Sequence, residues 1–271
     1  MRLGGPIFGD WQDPGEWAQA HVRAGYTATY CPVDETADEP TVRAYAEAAA
    51  AAGLVIAEVG AWSNPISLDA EIARKAVELS IARLDLAERI GARCCVNIAG
   101  SRHPAKWDGP HPDNYSAATF DLIVETVRRI VDAVRPRRAA YTLECMYWVP
   151  PDSPASQARL LRAVDRAAFG VHFDPVNMIN SAERFADTGG FIRDFVGQFG
   201  NRIKSCHAKD VAMSDEAIVH LTEVAPGRGG LDFRAYLDSL ATLDPDTPLM
   251  LEHLTTEAEY AAAAEHVRGF M

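Results

Sequence analysis

The feature that most constrains the fold is a regular alternation of strand-like and helix-like segments along the whole chain. Eight short apolar runs, beginning with "RLGGPIF" and ending with "TPLMLEHL", are each followed by a segment with helical spacing. Strands that alternate with helices predict a parallel sheet. Eight such units in 271 residues fit a closed (β/α)₈ barrel better than a doubly wound sheet. We therefore predict one barrel domain over residues 1–271, because no linker or shift in composition separates two domains.

Two connections are longer than the loops that usually join strands to helices. The first, "SRHPAKWDGPHPDNYS", follows the fourth strand, and the second, "AMSDEAIVHLTEVAPGRGG", follows the seventh. Both follow the C-terminal ends of strands, where barrel enzymes place their sites. The sixth strand is followed by "SAERFADTGGFIRDFVGQFG", which is expected to form the sixth helical segment.

Composition narrows the class of partner and the compartment. The formal net charge of −12 disfavours a nucleic-acid partner, which needs a basic surface. No apolar run is long enough to cross a membrane. The five cysteines are odd in number and no secretory leader is recognisable, so we expect reduced thiols in a cytoplasmic protein.

Four consecutive strands each end in a side chain that can bind a metal. These are Glu144 in "YTLECMYW", Asp174 in "VHFDPVN", His207 in "KSCHAKD" and Glu252 in "MLEHL". Side chains alternate along a strand, and the residues that precede these four are apolar, so all four can point into the barrel. Taken alone, each has an ordinary structural explanation; Asp174, for example, could cap the turn that begins at Pro175.

Taken together, three inward carboxylates around one imidazole would repel one another without a cation. Carboxylate oxygen with imidazole nitrogen suits Mn²⁺, Mg²⁺, Co²⁺ or Fe²⁺, and Zn²⁺ is also compatible. No cysteine shares the inward parity, which disfavours a cysteine-rich zinc site. The sequence therefore predicts a divalent metal site at the carboxyl ends of the last four strands.

The motifs "LE", "HFDPVN", "HAKD" and "LEH" on the late strands resemble, in order and spacing, the xylose isomerase-like TIM barrel superfamily of sugar isomerases and epimerases. "PGRGGLDF" is similar to the Gly-rich segment that precedes the seventh helix in that superfamily. The resemblance covers the whole chain. It implies that Glu144, Asp174, His207 and Glu252 bind one divalent ion, usually Mn²⁺, and that the two glutamates transfer protons. It also implies a small sugar as the substrate, and related barrels often form dimers or tetramers.

The chemistry of a sugar epimerase requires a metal ion and two carboxylates of this kind. Moving a proton on the carbon next to a carbonyl requires a stabilised enediolate, and a metal that chelates the oxygens supplies that stabilisation. One carboxylate removes the proton, and a second on the opposite face can return it. The fifth and eighth strands are three steps apart around the ring, so Glu144 and Glu252 would flank a substrate. We therefore expect a metal-dependent isomerase or epimerase of a sugar, keto-sugar or sugar acid.

Further polar and aromatic residues near the strand ends are candidates for binding the substrate. His172 and Lys209 share the inward parity of Asp174 and His207. His172 fits equally well as a buried histidine with satisfied hydrogen bonds, and the tryptophans fit ordinary loop packing. The complete set of candidates is Glu58, Trp62, Asn97, Trp148, His172, Asn177, Lys209 and Arg228.

Three other functions use the same arrangement. A lyase or dehydratase acting on an inosose, a keto-sugar or a 3-keto glycoside would begin with the same proton abstraction and then expel a leaving group. An apurinic endonuclease is more remote, because its additional histidines are missing and Asn177 stands where one of them would be. A binding protein would hold the sugar tightly without turnover in the presence of Mn²⁺.

Overall fold

In the computed structural model, which describes residues 1–271, eight parallel strands form a closed barrel, as the alternation predicts. Their bounds are Arg2–Gly4 (β1), Ala28–Tyr30 (β2), Val55–Gly60 (β3), Cys94–Asn97 (β4), Ala140–Glu144 (β5), Phe169–Phe173 (β6), Ile203–Ala208 (β7) and Pro248–Leu251 (β10). Around the barrel the order is β1, β10, β7, β6, β5, β4, β3 and β2. The chain is therefore a (β/α)₈ TIM barrel.

Helices surround the barrel and begin where the sequence supplies capping side chains. Asp69, for example, accepts hydrogen bonds from the N–H groups of Glu71 and Ile72. None of the helices has the length and apolarity that crossing a bilayer requires. The helices are Pro14–Arg23 (α1), Glu39–Ala51 (α2), Ala70–Ile90 (α3), Ala117–Val134 (α4), Pro154–Val164 (α5), Ala182–Ala186 (α6), Thr188–Phe199 (α7), Phe233–Leu240 (α8) and Glu257–Arg268 (α9).

The chain divides into two compact units, which we call the first and the second unit. The first unit comprises Met1–Tyr30, Glu47–Ala57 and Phe173–Met271. In it, β10 pairs with β7 so that Met250 lies opposite His207. The ring of Phe173 stacks on that of Phe195 at a centroid distance of 4.1 Å, which packs α7 against the end of β6.

Tyr236 connects α8 to the same strand ends. Its ring lies edge-on to Phe173, and its hydroxyl donates a 3.0 Å hydrogen bond to the carbonyl of His207. All three side chains are fully buried. The backbone that carries His207 is therefore held by a rigid aromatic cluster.

The second unit comprises Cys31–Ala46 and Glu58–His172. Strands β3, β4, β5 and β6 pair in parallel there, and the register places Glu144 opposite His172. Leu84 and Leu86 of α3 and Ile123 and Ile130 of α4 are fully buried in its core. Helix α3 packs against β4, which lies between the strands that carry Glu58 and Glu144.

The segment after β7 is more ordered than the sequence indicates. We predict a long loop, but the chain forms an antiparallel hairpin of Asp210–Met213 (β8) and Leu221–Val224 (β9) outside the barrel. The strands are only four residues each and carry several polar side chains, so the apolar alternation that reveals the barrel strands is weak there.

The sixth helical segment is also divided, where the sequence indicates one helix. Asp187 separates α6 from α7 and accepts a 2.8 Å hydrogen bond from the N–H group of Gly190. An aspartate that caps a new helix ends the preceding one, because its own backbone is not helical.

Candidate metal and proton-transfer site

The first unit brings Asp174, His207, Lys209 and Glu252 together at the carboxyl ends of its strands. Asp174 directly follows β6, His207 is the fifth residue of β7, and Glu252 directly follows β10. Lys209 is the one residue between β7 and β8. The side chains of Asp174 and His207 are fully buried, whereas that of Glu252 is 14% exposed. The site therefore lies at the rim of the barrel and reaches solvent through Glu252.

The two carboxylates are bridged by two nitrogen groups. Nδ1 of His207 lies 2.8 Å from Oε1 of Glu252 and 3.8 Å from Oδ2 of Asp174. Nζ of Lys209 lies 2.7 Å from the same Asp174 oxygen and 2.9 Å from the same Glu252 oxygen. One oxygen of each carboxylate thus faces both the imidazole and the ammonium.

Asp174 serves two purposes with its two oxygens. Oδ1 accepts the N–H group of Val176 at 2.9 Å and that of Asn177 at 3.4 Å, which makes the turn after β6. Oδ2 points to His207 and Lys209. The ordinary capping explanation and the ligand prediction are therefore compatible, because each uses a different oxygen.

Neighbouring cationic groups keep the carboxylates of Asp174 and Glu252 ionised. Burial raises the pKa of Asp174, but the ammonium of Lys209 and the imidazole of His207 more than offset it and hold the pKa below its ordinary value. Burial likewise raises the pKa of Glu252, and His207 and then Lys209 lower it to about 2 overall. Both groups are therefore anionic near neutral pH, as a metal ligand or a general base must be.

An outer pair, Glu223 and His253, covers this cluster on the solvent side. Nδ1 of His253 lies 2.9 Å from Oε1 of Glu223, and its Nε2 lies 3.6 Å from Oε2 of Glu252. The other oxygen of Glu223 lies 3.3 Å from Nζ of Lys209. The hydrogen bond to Glu223 raises the pKa of His253. The sequence pattern assigns neither residue to the site, although His253 is adjacent to a predicted ligand.

Asp210 holds the Gly-rich segment beside the hairpin. Its carboxylate accepts the N–H groups of Gly227, Gly229 and Leu231 at 2.9–3.0 Å. Arg228, a predicted substrate contact, lies in this turn with its side chain exposed, and its own N–H group donates to the carbonyl of Ala225. The turn is therefore fixed by its backbone, and Arg228 is free to extend into solvent.

In the second unit, Glu144 is the last residue of β5 and is 3% exposed. The register places it opposite His172, two residues before Asp174 in the chain. His172 and Glu58 form a fully buried pair, with Nε2 of His172 2.8 Å from Oε2 of Glu58. The two predicted substrate contacts therefore bind each other, and we interpret them as a support beneath the rim.

Asn97 makes its hydrogen bonds with neighbouring groups of the protein. Its amide oxygen accepts the N–H groups of Ser63 and Ile98, and its amide nitrogen donates to the hydroxyls of Ser63 and Ser80. These bonds use both lone pairs and both N–H groups of the side chain. The side chain therefore holds the loop after β3 through Ser63, and its contact with a substrate stays a prediction.

The two tryptophans differ in exposure. Trp62, in the loop after β3, is 44% exposed and is able to meet a ligand. Trp148, after β5, is 6% exposed, and its carbonyl accepts a hydrogen bond from Asn114. Trp148 is therefore better explained as packing beneath the loop.

The donor chemistry of the first-unit cluster suits a divalent ion. Asp174, His207 and Glu252 offer two ionised carboxylates and one imidazole, with ligand atoms within 4.8 Å of one another. Oxygen and nitrogen donors of this kind match Mg²⁺ and Mn²⁺, and imidazole admits heavier metals. This buried acidic and histidine cluster could therefore bind a metal.

A family model described as "xylose isomerase-like TIM barrel" matches residues 19–270. No curated protein matches the chain. Among solved structures, the chain is similar to D-psicose 3-epimerase from Clostridium cellulolyticum H10 in complex with D-tagatose, at 14% identity and a TM-score of 0.68, over 100% of this chain and 99% of that one. It is similar to a probable 3-DHS dehydratase from Bacillus anthracis, at 17% identity and a TM-score of 0.72, over 98% and 97% of the chains.

A third solved structure contains a metal. The chain is similar to a xylose isomerase-like TIM barrel protein from Mycobacterium smegmatis in complex with magnesium, at 16% identity and a TM-score of 0.64, over 95% of this chain and 87% of that one. At these identities the solved structures support the shared fold. The order of the motifs in the sequence and the match to the family model agree.

Proposed function

Since the chain belongs to the xylose isomerase-like TIM barrel family, we propose that it is a divalent-metal-dependent isomerase or epimerase of a small sugar, keto-sugar or sugar acid. The observation that carries the proposal is the buried cluster of Asp174, His207 and Glu252 at the carboxyl ends of successive barrel strands. Both carboxylates are held in the ionised form that a divalent ion binds. Barrel enzymes place their active sites at this end of the barrel, where the strands have their carboxyl ends.

We propose that Glu144 supplies the fourth ligand. It ends β5, the neighbour of β6, and stands opposite His172 in register. The sequence supports this: Glu144 ends the fifth strand-like segment, and Asp174, His207 and Glu252 end the next three. With Glu144, the proposed site has three carboxylates and one imidazole.

The metal, when bound, supplies Lewis-acid polarisation of the substrate's carbonyl and hydroxyl oxygens. Glu144 and Glu252 are proposed to move the proton on the carbon beside that carbonyl, one removing it and the other returning it from the opposite face. The low pKa of Glu252 keeps it deprotonated and ready to act as a base. Lys209 and Trp62 are proposed to contact the substrate at the rim.

The test is proton exchange measured by ¹H NMR in D₂O, on a set of sugars and keto-sugars with Mn²⁺ added. Epimerisation or isomerisation replaces the reacting C–H with C–D, whereas elimination gives new vinylic signals and would assign the chain to the lyases instead. We expect Glu144→Gln and Glu252→Gln each to lose exchange at least about 100-fold while remaining folded. Glu216→Gln, which removes an exposed carboxylate from the hairpin, is the control and is expected to retain exchange.

Elemental analysis after reconstitution is an independent test of the metal. We expect about one divalent ion per chain, since the ligand set encloses one position. Protein that holds no divalent ion after reconstitution would contradict the proposal even if a sugar binds.

A further inference from the structure

Lys209 is unusual because its ammonium is buried among three carboxylates. Its side chain is 2% exposed, and Nζ lies 2.7 Å from Asp174, 2.9 Å from Glu252 and 3.3 Å from Glu223. A further contact of 3.5 Å joins it to the side-chain oxygen of Asn177. The first two contacts are to Oδ2 of Asp174 and Oε1 of Glu252, which are also the oxygens nearest His207.

A metal ion bound to those two oxygens would compete with the ammonium of Lys209. The two cations cannot both lie at their preferred distances from the same oxygens without repelling each other. Metal–oxygen bonds of about 2.1 Å and the present N–O distances would leave the two cations at most about 5 Å apart. Both oxygens are shared, so the repulsion acts in one small, buried volume where screening by solvent is weak. Binding of the ion therefore favours movement of the ammonium away from at least one shared oxygen.

Glu223 provides a place for the displaced ammonium. Its Oε2 already lies 3.3 Å from Nζ, and its side chain is 36% exposed, so it is adjustable. Its other oxygen is used by His253, which leaves Oε2 for the lysine. The four-carbon stem of a lysine can swing its compact charge over such a distance without backbone movement.

We infer that Lys209 competes with the divalent ion for Asp174 and Glu252, and that Glu223 on the hairpin receives the ammonium when the ion binds. This inference rests on the proposed function, because it concerns the same ligands. Lys209 is thus a built-in counter-cation that sets how tightly the metal is held. Glu223 acts through Lys209 and favours metal binding without being a ligand.

The inference makes opposite predictions for the two residues. Lys209→Met keeps the length and packing of the stem but removes the competing charge, so it is expected to bind Mn²⁺ at least about 10-fold more tightly. Glu223→Gln removes the alternative partner and is expected to bind Mn²⁺ about 5-fold more weakly. In the Lys209→Met background the Glu223→Gln change is expected to have little effect, because no ammonium is left to relocate.

The experiment is a Mn²⁺ titration of chelator-stripped full-length protein, followed by the EPR signal of free Mn²⁺ and needing no substrate. Glu216→Gln removes the same charge from the turn of the same hairpin, and it is the control for long-range electrostatics. Weaker binding by Glu223→Gln than by Glu216→Gln supports the inference and does not depend on Lys209→Met being folded. Equal binding by those two variants overturns the inference.

The outcomes separate this inference from the proposed function. If the natural protein binds Mn²⁺ and folded Lys209→Met binds it no more tightly, competition is refuted while the metal site stands. If neither the natural protein nor any variant binds Mn²⁺, the metal-dependent function and the inference both fail.

Discussion

Replacing Asp210 is expected to release the Gly-rich segment and the hairpin that carries Glu223. The Asp210 side chain is 1% exposed and accepts hydrogen bonds from three distant N–H groups, those of Gly227, Gly229 and Leu231. Asp210→Ala leaves these groups without that acceptor. The change therefore tests whether one carboxylate organises the whole segment after β7.

The magnitude follows from how well water can replace each bond. A hydrogen bond to a charged group contributes about 1.5–3 kcal/mol, and a buried donor left unsatisfied loses most of it. Leu231 is buried, so its bond is expected to contribute about 2 kcal/mol. Gly227 and Gly229 are exposed and water can reach them, so about 0.5–1 kcal/mol each is expected. The sum is a loss of about 3–4 kcal/mol in the free energy of unfolding, if the transition is two-state.

Urea unfolding of the natural protein, Asp210→Ala and Asp215→Ala provides the measurement. Asp215 is an exposed aspartate in the same hairpin, and its replacement is expected to change the free energy by less than about 0.5 kcal/mol. Limited proteolysis should also cut Asp210→Ala within residues 225–231 first. A loss below about 1 kcal/mol for Asp210→Ala would refute the reasoning, because it would mean that the segment is held by other contacts.

Three further predictions concern the core and the site. Glu58→Leu removes the acceptor 2.8 Å from Nε2 of the buried His172 and is expected to cost about 2 kcal/mol in urea unfolding; no loss would show that the pair is not a support. Phe195→Ala removes the ring stacked on Phe173 and is expected to cost about 3–5 kcal/mol and to lower the melting temperature; a cost under 1 kcal/mol would show that the cavity refills. The pKa of Glu252 is lowered to about 2, so the ionised carboxylate stabilises the fold above its unfolded pKa near 4.5, and this stabilisation is lost as the pH falls towards 2. The melting temperature of Glu252→Gln should therefore fall less steeply with acid than that of the natural protein. Parallel curves for the two proteins would contradict this.

The barrel could be predicted because its signal is repeated. Alternating strand-like and helix-like segments leave few other architectures open, and the parity of side chains in strands places Asp174, His207 and Glu252 on the inner side. Those residues lie in or directly after strands, where backbone geometry fixes the direction of the side chain. The fold and the candidate ligands therefore depend on regular structure that a sequence pattern records.

The contacts that the sequence does not reveal lie where irregular structure decides them. Asn97 is correctly placed at a strand end, but whether its amide meets a substrate depends on Ser63 and Ser80, which come from other elements. Parity places Lys209 on the inner side with His207, but it does not predict which carboxylates the ammonium at the end of the long side chain meets. Glu223 enters through a hairpin that the sequence pattern does not reveal, so no local signal connects it to the site.

The passage from β7 to β8 leaves a single residue, Lys209, between two strands of different sheets. Within four positions, His207 is a candidate ligand, Lys209 is the competing cation and Asp210 anchors the Gly-rich segment. Adding or removing one residue there would reverse the side-chain parity of β8, beginning with Asp210, which a substitution cannot do. This stretch is therefore constrained in its length more strictly than in its composition, and insertion scanning should find it intolerant even where single replacements fold.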